Sequence, residues 1–348
     1  MVHCVGKHGR GSIARRSGMR RATGRRPVAC LALAALAAVL QQADAAALDV
    51  RHGGPLTGLF GLPSPGESAA LAPGEDRRFD LLLQGSSHAV SGAADGEELL
   101  LDGETWRAAL RLRTRFAERW EFGLEIPWIR HTGGSMDRLI DDWHALFGLP
   151  DGIRDEVPRD ALRYAYRNTA GEVLDFGEGA GGLGDIRLSA GYRLRRDGAG
   201  SLSLRAAVEL PTGDEAKLTG NGAADYTLGI AWERGAAEGS GRWSAHIVAG
   251  VVRFGETDLP AVDTREFGGW VQAGAGWRVT PHIELLGQLQ AASSPVDSAI
   301  DAWGGSLMLA LGAGIDLGGR YRLQLGFTED IDVETSPDIT FMLRLTRR

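Results

Sequence analysis

Cysteine is almost absent from this chain of 348 residues, which has 2 Cys beside 50 Gly and 13 Pro. Both of them, Cys4 and Cys30, lie close to the N-terminus. Because the rest of the chain has no thiol, disulfide bonds and thiolate metal sites are excluded from the folded protein. The content of charged residues, 24%, is ordinary for a folded chain and excludes a wholly disordered one.

Hydrophobic runs long enough to form a membrane helix are also absent. The apolar stretch CLALAALAAVL at residues 30–40 is far shorter than the ~20 residues that a spanning helix needs. It follows several arginines and precedes ADA at residues 43–45. A basic region, an apolar core and a small-x-small motif, in this order, predict a secretory signal peptide over residues 1–45 that is cleaved near Ala45. Translation could start at Met1 or Met19.

Acidic residues outnumber basic ones beyond this signal. The net charge of the chain is −7, and residues 1–45 contribute eight Lys or Arg and one acid, so the remainder has a net charge of −14. A nucleic-acid-binding protein shows the opposite balance. We therefore predict an acidic exported protein with no nucleic-acid partner.

Two-residue alternation dominates the chain after residue 78. In residues 105–116, Trp106, Leu110 and Phe116 share one face, and arginines occupy the other. This period is typical of β-strands with two different faces. It predicts twelve strands: 79–88, 105–116, 120–130, 185–195, 201–210, 225–234, 243–254, 267–279, 282–292, 303–317, 321–328 and 338–348.

Alternation alone would also fit a secreted β-sandwich, which remains the alternative. Aromatic residues near strand ends, Gly, Ala and Ser on the charged face, and alternating long and short connections favour a membrane barrel. We predict an all-β fold: a transmembrane antiparallel up-and-down β-barrel of about 12 strands over residues 79–348. It would lie in the outer membrane of a Gram-negative bacterium, with outer-membrane lipids and the barrel-insertion machinery as partners. Residues 46–78 would form a periplasmic or lumen segment.

The longest connection, an outer loop over residues 133–183, calls for an explanation because passive loops of this length are uncommon. Its stretch SMDRLIDDWHALFGLP has apolar residues at helical spacing and predicts an amphipathic helix. The apolar face consists of Met136, Leu139, Ile140, Trp143 and Phe147. This helix could gate the barrel mouth, or it could simply pack on the rim and on aromatic residues of its own loop.

Charged residues on the polar strand faces would line the lumen. They are Arg107, Arg111, Arg113, Arg115, Glu121, Glu125, Arg187, Arg193, Arg205 and Glu209. The alternation places the first four arginines opposite Glu121 and Glu125, and the later three opposite Glu209. Since buried charges must pair or stay hydrated, we predict an ion-pair ladder that rigidifies the lumen, with a substrate-selective ring as the alternative.

The sequence predicts no catalytic, metal or cofactor site. The histidines His88, His131 and His144 fall near the outer rim, where neighbouring acidic residues are usually just solvated. Ser244 and His246 share a strand without an evident acid or oxyanion partner. The glycine-rich GEGAGGLGD leads into a strand, whereas dinucleotide binding would need a helix there.

The pentapeptide LFGLP occurs twice, at residues 59–63 and 146–150. The residues that flank the two copies do not align, so they do not mark a duplicated unit. One hypothesis is that both copies enter the barrel from opposite ends, with Phe60 and Phe147 in the lumen.

Several segments resemble the DUF3187 family of bacterial proteins without an assigned function. They are GPLTGLFGLPSPGES, LDGETWRAALRLR, IPWIRHTGGSMDRLIDDWHALFGLPDGIRD and GLGDIRLSAGYRL followed by ELPTGD. The GLGD and LPTGD motifs also resemble other barrel families, including outer-membrane transporters linked to the degradation of aromatic compounds. The resemblance implies an outer-membrane barrel and brings no catalytic residues. We expect a narrow channel or transporter for a small solute, with a structural or assembly barrel and a membrane-embedded lipid-modifying enzyme as alternatives.

Overall fold

A computed structural model describes residues 47–62, 71, 74–138, 140, 142, 158–198, 200–235, 242–331 and 337–348. These residues contain fifteen strands. They are β1 (Arg77–Ala94), β2 (Glu97–Phe116), β3 (Trp120–Thr132), β4 (Arg163–Arg167), β5 (Val173–Phe176), β6 (Ala180–Leu183), β7 (Ile186–Asp197), β8 (Gly200–Leu210), β9 (Asp225–Arg234), β10 (Trp243–Arg253), β11 (Phe267–Arg278), β12 (Ile283–Ala292), β13 (Ser306–Gly318), β14 (Tyr321–Asp330) and β15 (Ile339–Arg347). Short 3₁₀ helices lie at Thr57–Leu59, Glu215–Lys217 and Asp301–Trp303.

Twelve of these strands close a barrel. Antiparallel pairing runs from β1 through β2, β3 and β7 to β15, and β15 pairs back with β1, where Phe79 lies opposite Arg347. The prediction of an up-and-down barrel of about 12 strands is thereby confirmed. Within the described part of the chain, no helix is long and apolar enough to cross a membrane.

The two faces of the wall differ as the alternation predicts. Burial in β9 follows period two, with Tyr226, Leu228 and Ile230 exposed on the outer face between buried neighbours. Outward aromatic residues gather in two bands: Phe116, Trp120, Phe122, Trp243 and Trp277 at one end, and Trp106, Trp128, Tyr226 and Phe267 at the other. An apolar wall between two aromatic bands is typical of a membrane-spanning barrel.

The connections distinguish the two ends of the barrel. The end at which β1 begins and β15 finishes carries the turns between β2 and β3, β7 and β8, and β13 and β14, and we call it the turn end. The opposite end, which we call the loop end, carries the connections between β3 and β7, β8 and β9, β10 and β11, and β12 and β13.

Two predicted connections at the loop end contain more sheet than expected. The link predicted over residues 89–104 is mostly strand, because β1 and β2 continue as a hairpin that turns at Asp95 and Gly96. Both turn residues have positive φ, as a tight hairpin turn requires. The predicted loop 133–183 contains β4, which pairs with the beginning of β2, β5, which pairs with β4, and β6, which pairs with β3.

Candidate functional site in the barrel lumen

Residues 47–62, which we call the lumen segment, run inside the barrel. The carbonyl of Ala47 accepts a hydrogen bond from Gln324 of β14 at 3.2 Å. The backbone of Leu48 exchanges two hydrogen bonds with Gln288 of β12, at 3.0 and 3.1 Å. Because inward-facing side chains of the wall hold this backbone, these first residues of the segment predicted over 46–78 lie in the lumen.

Glutamine side chains also hold the next residues of the segment. Gln84 of β1 accepts from the N–H of Arg51 and donates to its carbonyl, both at 3.1 Å. Gln290 donates to the carbonyl of Val50 at 3.4 Å and accepts from Gln288 at 3.1 Å. A carboxamide offers a donor and an acceptor, so it can bind a peptide group whatever side chain that residue carries.

Successive side chains of the segment point to opposite sides of the lumen. Leu48 and Val50 belong to an apolar cluster with Leu286, Ala310 and Met342 of β12, β13 and β15. Asp49 and Arg51 contact charged residues, chiefly on β2, β3 and β8. This alternation is that of extended backbone, in which five residues span roughly 16 Å.

Asp49 joins an ion-pair network in the lumen. Its carboxylate pairs with Arg111 of β2 and lies 3.5 Å from Nη1 of Arg344 of β15. Arg344 in turn donates from Nε to Asp80 of β1 at 2.9 Å. All four side chains are at most 6% exposed.

Arg51 occupies the complementary position. Its Nη2 lies 2.6 Å from Glu209 of β8 and 3.6 Å from Glu125 of β3. The segment therefore supplies one acid and one base to the lumen, and neither belongs to the predicted ladder. A signal for both was present in the sequence, because Asp49 and Arg51 alternate with Leu48 and Val50.

The structure brings together eight of the ten residues predicted as a lumen charge ladder. Ion pairs join Arg107 and Arg111 to Glu125, Arg113 and Arg205 to Glu121, and Arg187 to Glu209 at 3.3 Å. Arg115 and Arg193 lie nearer the turn end and donate to the carbonyls of Leu71 and Glu118.

Arg205 differs from the prediction, which places it opposite Glu209. Gly191 separates Arg205 from Glu121 across the sheet and has no side chain to block the path. A Cβ at Gly191 would lie 2.5 Å from Nη1 of Arg205. The long guanidinium side chain therefore crosses β7 and reaches Glu121 on β3.

The far end of the lumen segment lies in an apolar cluster at the loop end. Leu56, Leu59, Phe60 and Leu62 pack there with residues from several connections, among them Leu218, Phe254, Leu259, Val296 and Trp303. Phe60 contacts Phe254 edge to face at 5.9 Å, and the N–H of Gly61 donates to Asp225 at 2.5 Å. Residues 59–62 of the first LFGLP copy thus lie inside the mouth at the loop end. Pro63 and the second copy lie outside the described residues.

Two residues of the predicted gate helix lie on the outward side of the wall. Met136 and Ile140 are buried against Ile339 and Phe341 of β15, whose inward-facing neighbours are Thr340 and Met342. The N–H of Ile140 donates to the carbonyl of Met136 at 3.0 Å, as in a helix. Leu139, Trp143 and Phe147 lie outside the described side chains, so a gating role stays a prediction.

Glu104 of β2 anchors the beginning of this helix. It is fully buried and accepts hydrogen bonds from the N–H of Met136, from Ser135 at 2.7 Å and from Trp106 at 3.0 Å. A carboxylate at a helix N-terminus satisfies free N–H groups and complements the helix dipole. The sequence did not indicate Glu104, because it lies in a strand thirty residues earlier.

Asp185 connects the two motifs GLGD and LPTGD at the loop end. Its carboxylate accepts from the N–H groups of Thr212 and Gly213 at 2.9 and 2.8 Å, and from Asn221 at 3.3 Å. Burial raises the pKa of Asp185 to about 6, although these donors act in the opposite direction. The two motifs therefore fasten the β8–β9 connection to the start of β7.

Ser244 and His246 make separate contacts within the wall. Ser244 donates to Glu284 at 2.6 Å, and a ring nitrogen of His246 lies 2.8 Å from the amide of Gln272. Neither contact forms the serine–histidine pair that an activated nucleophile requires.

A closed twelve-stranded barrel with an apolar outer wall and a polar lumen defines the class of outer-membrane β-barrel proteins. The chain belongs to the family described as "Protein of unknown function (DUF3187)", whose model matches residues 27–348. This match confirms the resemblance found in the sequence.

A solved outer-membrane channel shares the fold. The COG4313 outer membrane channel from Pseudomonas putida F1 is 15% identical, with a TM-score of 0.54 over 82% of this chain and 99% of that chain. The NanC porin is less similar to this chain, with 7% identity and a TM-score of 0.42 over 77% of this chain and 99% of that chain. No curated protein matches the chain.

Proposed function

We propose that this protein is an outer-membrane channel for a small solute, and that the lumen segment holds it closed. The observation that carries the proposal is the path of residues 47–62, which runs through the lumen to the loop-end mouth. A wall built of polar and charged side chains around a separate segment suits a passage that can be emptied. A barrel that serves only as a structural element would need no such exchangeable filling.

The outer loop over residues 133–183 is the second candidate for a gate. The amphipathic pattern supports it, whereas the outward position of Met136 and Ile140 favours the lumen segment. The two candidates differ in which deletion opens the channel.

Similarity of fold to a known outer membrane channel supports the proposed location, with the loop end facing outward and the turn end facing the periplasm. The signal-like residues 1–45 support export and cleavage near Ala45. Outer-membrane lipids and the insertion machinery would then be its partners.

Planar-bilayer conductance tests the proposal. We expect small or rare current steps from the protein beginning at Ala46, and larger steps from a variant that lacks residues 47–62. If that variant does not refold, Asp49→Asn combined with Arg51→Gln loosens the same segment in a full-length chain. Absence of conductance from every folded form would leave the structural barrel as the better explanation.

The enzyme alternative is tested in the same preparation. A lipid-modifying enzyme would change the composition of the vesicles into which the protein is refolded. We expect the lipids to remain intact, since Ser244 and His246 are each occupied by other partners.

A further inference from the structure

The contacts around residues 47–51 form a binding site for an extended peptide. Among the described residues, wall side chains make six hydrogen bonds to the backbone of Ala47, Leu48, Val50 and Arg51, and each of these involves a glutamine. Four glutamines contribute: Gln84, Gln288, Gln290 and Gln324, which we call the glutamine set. Since their hydrogen bonds to residues 47–51 all reach peptide groups, they would bind any chain of suitable shape.

The remaining contacts select side chains by position. Leu48 and Val50 pack in an apolar cluster, while Asp49 forms ion pairs with Arg111 and Arg344. Two residues later, Arg51 forms ion pairs with Glu125 and Glu209. A peptide with alternating apolar and charged residues would make the same kinds of contact that residues 47–51 make.

We infer that this lumen is a binding site for short extended peptides of about five residues, and that residues 47–51 occupy it as an internal ligand. The inference rests on the proposed channel function and names its substrate class. A peptide from outside would enter the site as the lumen segment leaves, because both need the glutamine set and the same ion-pair partners.

Glutamine side chains on this wall suit a replaceable ligand better than apolar side chains would. When the segment leaves, water can enter and bind the amide groups, so exchange does not leave them without partners. The charged pairs behave alike: without Asp49, Arg111 keeps Glu125 and Arg344 keeps Asp80. Without Arg51, Glu209 keeps Arg187.

The decisive experiment uses the barrel that lacks residues 47–62 and the synthetic peptide AALDVRHG, which copies residues 46–53. We expect the peptide to block conductance in a saturable manner. A copy that is N-methylated at the residues matching Leu48 and Arg51 lacks the two N–H groups that donate hydrogen bonds to Gln288 and Gln84. It should block at least tenfold more weakly while it keeps every side chain.

Variants of the wall separate peptide binding from a general effect on the pore. Gln84→Leu and Gln288→Leu should each weaken the block several-fold. Ser203→Ala is the control, because this buried polar side chain lies on β8, whose neighbours in the wall are β7 and β9. Succinate and free arginine, at the same concentration, test whether charge alone is sufficient.

The intact chain gives a second measurement that does not need the deletion. The protein beginning at Ala46 has no cysteine, so Val50→Cys places a single thiol in the site. Excess peptide should raise its rate of maleimide labelling at least tenfold, while Val248→Cys, in a separate cluster on β10, should not respond.

The outcomes distinguish the two proposals. If the barrel conducts after removal of residues 47–62 but the peptide neither blocks it nor speeds labelling, the peptide site is refuted and the channel stands. Equal block by the N-methylated peptide, or by succinate or arginine, would also refute it. If no form conducts, the channel fails, and the thiol measurement alone decides whether peptides bind.

Discussion

Among the glycines of the lumen segment, Gly53 is the one at which an added Cβ would approach the wall most closely. A Cβ at this position would lie 1.8 Å from Oγ of Ser86 and 3.2 Å from Oγ1 of Thr340. Overpacking of this kind typically costs about 1–3 kcal/mol. We predict that Gly53→Ala displaces the segment from its site and raises the ratio of open to closed barrels by roughly 5- to 150-fold, measured as open probability in single-channel recordings.

The matched control for this substitution is Gly198→Ala, since a Cβ there meets nothing within 4 Å. It should leave the conductance unchanged. If Gly53→Ala also left it unchanged in a correctly folded barrel, the lumen segment would not limit the current.

Strands are the elements that the sequence predicts best. In a barrel wall that spans a membrane, residues that face the lipid are apolar, and residues that face the lumen can be polar. Residues 225–234 show the alternation and form β9 with the predicted bounds. Residues 89–104 escaped prediction because the hairpin of β1 and β2 extends beyond the aromatic bands, where its outer face need not be apolar. The strands β4, β5 and β6 are short and lie in the same region.

The helix that begins at Met136 offers a prediction about the alternative gate. Glu104→Ala removes the acceptor for the helix N-terminus and should loosen this element by about 1 kcal/mol or more. We expect faster proteolysis of the loop over residues 133–183 with unchanged conductance. A rise in conductance comparable to that expected for Gly53→Ala would instead identify the outer loop as the gate.

The connection held by Asp185 should respond to pH. Its pKa is raised to about 6 from an ordinary value of 3.8, so the folded state binds this proton more tightly than the unfolded state does. The stabilisation is therefore complete below about pH 4 and is lost as the pH rises through 6. Relative to Asp185→Asn, the wild type should lose on the order of 2 kcal/mol between pH 4 and pH 7.

Urea unfolding of both proteins at the two pH values measures this difference, and the Asn variant serves as the control for every other titrating group. A wild type that gained stability relative to the variant as the pH rose would show that the N–H donors outweigh burial. The sequence motif GLGD could not reveal this, since it does not show which backbone groups surround the acid.

At the scale of the whole molecule, the barrel was predictable from the alternation and from the long and short connections, whereas the content of the lumen was not. Gln324 and Ala47 meet although 277 positions separate them, and no local pattern predicts such a contact. The charge ladder was predictable as neighbours on adjacent strands, such as Arg111 and Glu125. Its completion by Asp49 and Arg51 depends on the path of a segment that precedes the barrel.

The orientation of the barrel is the last prediction. Glu178 lies exposed at the loop end and Gly198 at the turn end, so single cysteines at these positions report opposite sides of the membrane. We expect a membrane-impermeant maleimide to label Glu178→Cys in intact cells and Gly198→Cys only after the outer membrane is permeabilised. The background is free of thiols once residues 1–45 are cleaved. Labelling in the reverse pattern would place the mouth that holds Phe60 on the periplasmic side, and peptides would then reach the site from within the cell envelope.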